Sequence, residues 1–211
     1  MKRSMRKQVV AAFIFILLMV NVISVQAATS ISGIKKLVNQ MYYYEYSVLP
    51  IQKKTNMKLS QQEKAKAVAL SLSIKESNGI EKGEFGGYEL FKVDTASFKK
   101  ASLDMFGKKL SISSLPKQTE AGGLMDAYRL KKDGTPVVYC MNGETECDFV
   151  VHSTKITKKS SKTVSVVRNI YFGYWGNNDG HSNYKITYTV QKNSKSDYGF
   201  VITKMVVEPL S

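Results

Sequence analysis

The chain has 211 residues, with 31 Lys and Arg against 17 Asp and Glu and a formal net charge of +14. Two Cys and two His, with no GxSxG or HExxH motif, leave little material for a metal cluster or an activated nucleophile. Lysine dominates the basic residues and no arginine-rich stripe occurs, which argues against sequence-specific nucleic-acid readout through arginine forks.

Lys2, Arg3, Arg6 and Lys7 precede an unbroken apolar run from Val9 to Val20, and Val25-Gln26-Ala27 suits a cut after Ala27. This is the layout of a secretory signal peptide, so the sequence predicts a leader over residues 1–27 and one secreted domain over 28–211. The alternative is an uncleaved anchor, against which the apolar run falls short of the ~20 residues that span a bilayer. Taking the leader's four charges from +14 leaves +10 on the exported chain. So basic a secreted protein attracts polyanions, here an anionic cell-wall polymer or a membrane surface. No cofactor motif is present.

From Thr29-Ser30 a helix is predicted to about Val48, with Ile31, Ile34, Leu37, Val38, Met41 and Tyr42 on one face and Pro50 at the exit. Tyr42, Tyr43, Tyr44 and Tyr46 spread around that helix and are assigned to core edges. Ser60-Gln61-Gln62-Glu63 is a capping box for a second helix to about Lys75, stopped at Ser77-Asn78-Gly79. Gly83 to Gly87 reads as a loop without the lysine of a phosphate cradle. Tyr88 to Val93 is a short strand. Asp94 caps a third helix, Val93 and Phe98 staple it, and Gly107 ends it.

After a polar connection from Ser111 to Gly123, about six strands follow, rich in β-branched and aromatic residues and separated by Asn, Gly, Ser and Lys turns. Tyr184, Ile186, Tyr188 and Val190 alternate with Lys185, Thr187, Thr189 and Gln191, so one face meets a core and the other water. Cys140 and Cys147 flank the Asn142-Gly143 turn. With a four-residue loop they oppose each other and can bridge; with the tighter turn they sit diagonally, roughly 7 Å apart, at the limit for a disulfide. Export favours the oxidised form.

Helices followed by strands in blocks mean an α+β fold, three helices packed on one face of a curved antiparallel meander. The order resembles the cystatin-like and nuclear-transport-factor-two-like cone folds. Phe98 to Gly107 and Ser196 to Lys204 resemble stretches of small secreted proteins of Gram-positive bacteria. Neither resemblance implies a catalytic residue, because these folds host enzymes and binding modules alike.

A meander puts alternate turns at one end of its sheet. Lys131 and Lys132, then Lys158, Lys159 and Lys162, then Lys192 and Lys195 would gather there as a polyanion site; the bland reading is that lysine solubilises turns. At the other end Tyr171 and Trp175 share a face across Gly173, a candidate glycan surface with Asn177, Asn178 and Asp179 as polar partners. Aromatics so placed also serve simply as core. Asp126 and Asp148 are the carboxylates to examine for general-base work in a cone-pocket enzyme. The reading preferred is a non-enzymatic binding protein of the envelope, with a carbohydrate-binding module or a small enzyme as alternatives.

Overall fold

The computed structural model describes residues 30–49, 59–73, 83–85, 88–117, 125–130, 134–141, 147–174 and 182–210. Four helices are present in this part: α1 (30–39), α2 (Tyr42–Val48), α3 (Gln61–Ser73) and α4 (Thr95–Phe106). The strands are β1 (Gly83–Phe85), β2 (Tyr88–Lys92), β3 (Met125–Arg129), β4 (Pro136–Met141), β5 (Cys147–Lys158), β6 (Thr163–Tyr174), β7 (Ser182–Lys192) and β8 (Phe200–Leu210).

The fold is α+β, as the order of elements implies, but the strands do not form one meander. They make two four-stranded antiparallel sheets, β1-β2-β4-β3 and β5-β6-β7-β8. The reason lies in β4. Its two edges are taken by β3 and by β2, a strand from before α4, so no edge is left for β5 and a second sheet begins. Cys140 therefore pairs with Glu89 and Met125 while Cys147 pairs with Tyr174, and the two cysteines do not face each other across a hairpin. The Asn142-Gly143 turn lies outside the described residues. Gly83 to Phe85, expected as loop, is strand β1, hydrogen-bonded to β2.

The helices lie against both sheets: α3 on β3 and β4, α4 on β8, and α2 on β3. One apolar cluster joins them, running from Ile34, Leu37 and Met41 through Leu70, Phe98 and Met105 to Ala127 and Val138 on one sheet and Val166, Ile170, Tyr188 and Met205 on the other. In the second sheet Tyr184, Ile186, Tyr188 and Val190 are buried as the alternation requires. Its other face is polar and wet, with Lys185 paired to Glu208 across β7 and β8 at 2.7 Å.

The caps explain where the helices begin and end. Ser60 Oγ accepts from Glu63 N (3.1 Å), and Asp94 Oδ2 accepts from Ser97 N (2.6 Å), a bond that holds the Asp94 carboxyl below its ordinary pKa. Gly107 closes α4 in the left-handed conformation, φ 70°. The first helix, expected unbroken to Val48, is interrupted at Gln40–Met41, where amides bond three residues back instead of four (Gln40 N to Leu37 O, 3.1 Å; Met41 N to Val38 O, 3.0 Å). The Val38 carbonyl also accepts from Arg168 Nη1 at 3.2 Å. A side chain inserted into the helical ladder is a recognised cause of such a break.

Candidate functional site

The second sheet is a simple meander, so its β5–β6 and β7–β8 turns share an end. Direct contact fixes this: Lys192 N donates to Lys162 O at 2.9 Å. Lys158, Lys159, Lys162, Lys192 and Lys195 are thus brought together, all exposed and none in an ion pair among the described residues. Ser160 Oγ shapes the first turn by accepting from Lys162 N and Thr163 N. Lys131 and Lys132 do not join them by the expected route. Their turn, outside the described residues at 131–133, connects β3 and β4 of the other sheet, where Gly134 N bonds Leu130 O.

The β7–β8 loop is held rigidly. Buried Ser196 lies within hydrogen-bond reach of the carbonyls of Asp104 (2.7 Å) and Phe200 (2.9 Å), Asp197 N donates to Asp104 Oδ1 (3.1 Å), and Gly199 turns the chain at φ 72°. Lys100 bridges Asp104 (2.9 Å) and Asp197, and these two carboxylates raise the lysine's pKa. Helix α1 rests on this loop through Gly33. A Cβ at that position would run into the Tyr198 carbonyl oxygen, so only glycine permits the approach.

Between α1 and the two turns lies a groove of about 1190 Å³. Ile31, Ile156, Val164 and Tyr198 line it, Lys36, Lys158 and Lys192 stand around it, and Asp197 is the one carboxylate among its described lining residues. That carboxylate is paired with Lys100, which it shares with Asp104.

A second charged centre sits in the core. Glu45 of α2 is fully buried and Arg168 of β6 is 2% exposed. Arg168 Nη1 donates to Glu45 Oε1 at 3.0 Å, and the Tyr188 hydroxyl donates to the same oxygen. Glu45 Oε2 lies 2.9 Å from Nη1 without hydrogen-bond geometry, and Arg168 Nε has no hydrogen-bond partner among the described residues. Burial pushes the Glu45 carboxyl up to about 7, against the opposing pull of Arg168 and of the Tyr188 hydrogen bond. The Tyr188 phenol is raised well above its usual range by the same burial and by the carboxylate beside it. Neither charged residue was picked out from the sequence. The signal was there: Arg168 interrupts the apolar row Val164, Val166, Ile170, Phe172, and Glu45 lies four residues after Met41 on the buried face of the helix.

The other candidates are dispersed. Asp126 is fully engaged, with Lys66 Nζ at 2.8 Å, the Tyr128 hydroxyl at 2.8 Å and Ala127 N at 2.8 Å. Asp148 is exposed at the far end of the second sheet, opposite Gly173. Tyr171 is half-buried, edge-on to His152 at 6.0 Å, and Phe172 fills the core. Trp175, Asn177, Asn178 and Asp179 lie outside the described residues. The tyrosines of α2 are packed as expected: Tyr44 is buried, and Tyr42 and Tyr46 meet Phe149 edge-on at 4.8 and 5.7 Å.

No family model, curated protein or solved structure matches this chain. The geometry alone carries the functional argument.

Proposed function

We propose that the chain is a non-enzymatic binding protein, exported and held to an anionic envelope surface by the lysine end of its second sheet. The observation that carries this reading is the adjacency of the two turns. It sets five exposed lysines on one rim, and Lys36 of α1 adds a sixth charge beside it. Exposed ammonium groups on flexible stems act as point charges toward phosphate or carboxylate polymers, and like charges within a Debye length of ~10 Å reinforce one another.

The test is retention of the chain lacking residues 1–27 on a glycerol-phosphate polymer at low and high salt. Affinity falls on the order of tenfold between 50 and 300 mM salt if screening governs it. Replacing Lys158, Lys162, Lys192 and Lys195 together by Gln removes most of the retention. Binding that ignores both salt and the lysines sinks the proposal.

A further inference from the structure

We infer that the groove beneath the lysine rim takes the acyl chain of an anionic lipid, whose phosphate is held by Lys158, Lys192 and Lys36. The inference rests on the envelope reading above and names the ligand class of the same site.

A purely electrostatic site needs no floor of apolar side chains, yet this one has it. Ile31 at the lip is 46% exposed and open to contact. Ile156, Val164 and Tyr198 are half-buried against the main core, so the floor is an extension of that core and rigid. The charges surround this floor, and the one acid beside them is already paired. Apolar surface next to unneutralised cations complements a ligand with a hydrocarbon tail and a phosphate head. A neutral glycan would leave the cations unused, and a polymer with charge alone would leave the apolar floor unused. The groove's volume, about 1190 Å³, lies just above the ~300–1,000 Å³ typical of small-molecule sites.

The experiment compares three probes below their critical micelle concentrations, using the chain without residues 1–27: dodecyl phosphate, glycerol phosphate and dodecyl maltoside. Methyl resonances of Ile31, Ile156 and Val164 report where each one binds. Dodecyl phosphate is expected to shift these methyls and to bind on the order of a hundredfold more tightly than glycerol phosphate, because each buried methylene strengthens binding. Lys192→Gln weakens it several-fold, and Ile31→Ser with Val164→Thr weakens it while leaving polymer retention unchanged. Equal binding of head and head-plus-tail probes, or shifts confined to other surfaces, overturns the inference. So does a dimer that dodecyl phosphate fails to dissociate, since the groove would then be occupied by a second copy. Tail-independent binding with polymer retention intact defeats the lipid assignment alone; lost polymer retention with dodecyl phosphate still bound defeats the envelope reading alone.

Discussion

The molecule carries two charged constellations that obey opposite rules. At the end of the second sheet, Lys158, Lys159, Lys162, Lys192 and Lys195 are exposed and of one sign. In the core, Glu45 and Arg168 are of opposite sign, buried, and locked to Tyr188 and the Val38 carbonyl. Water solvates the first group, so each lysine contributes little to stability and remains free for an external anion. The second group has lost its water, so its members must satisfy each other. The lysine end is the part that the proposed binding function uses, and the core centre meets the break between α1 and α2 through the Arg168 bond to the Val38 carbonyl.

The largest effects are expected at the core. Glu45→Leu strands a guanidinium that cannot deprotonate, at a cost of about 3–5 kcal/mol. Arg168→Met costs less, because Glu45 can take a proton and become neutral. Combining both changes with Tyr188→Phe, which removes the orphaned hydroxyl, returns stability close to the parent. Urea unfolding of the set checks this. If the combined variant is as unstable as the sum of its parts, the centre's cost is one of packing and the comparison with the lysine end fails.

The same centre gives a pH signature of unusual sign. A free glutamate titrates near 4.5, whereas Glu45 is raised to about 7 in the fold. Below 4.5 both states are protonated and the group contributes nothing. Between 4.5 and 7 the unfolded chain releases its proton and the folded chain keeps it, so stability falls as pH rises; above 7 the full penalty, roughly 3 kcal/mol, is present. Arg168 from β6 and Tyr188 from β7 are the groups that face the carboxyl from the sheet. Unfolding free energies at pH 5 and pH 8 should therefore converge in Glu45→Gln relative to the parent. Parallel profiles would show that Glu45 is ionised throughout.

How much of this was legible in the sequence follows from the range of each signal. Local chemistry was readable: Ser60 and Asp94 cap their helices, Gly107 ends α4, and the row from Tyr184 to Val190 turns its apolar side inward. Strand pairing was not, because a period of two says which face is buried and not which neighbour is bonded. Nothing local in Tyr88–Lys92 announces that it will occupy the edge of β4 and divide the strands into two sheets. That division puts the β3–β4 connection in the other sheet, so alternation along one meander no longer argues for Lys131 and Lys132 on the rim, and it leaves the two turns that adjoin. The Glu45–Arg168 pair was visible only as two breaks in apolar patterns 123 residues apart, each of which reads alone as an error.

The smallest effects separate the two regions most sharply, because they lie where the lysine end meets the core. Gly33→Ala pushes a methyl group into the Tyr198 carbonyl, backbone that Ser196 and Gly199 hold in place. Helix α1 must back away, at about 1–3 kcal/mol for overpacking. Single Lys→Gln changes at residues 158, 162 or 192 stay within about 0.5 kcal/mol of the parent, as expected for exposed side chains. Yet these lysine variants reduce polyanion affinity, whereas Gly33→Ala alters the groove and leaves the five lysines of the second sheet in place. Thermal melts run beside retention assays on the four proteins decide the matter. Stability loss confined to Gly33→Ala, with its polymer retention kept, means the rim binds through charge and the groove wall serves only to shape what lies beneath. Equal loss of retention in all four would mean that the rim depends on α1 for its geometry, and the two regions would have to be treated as one.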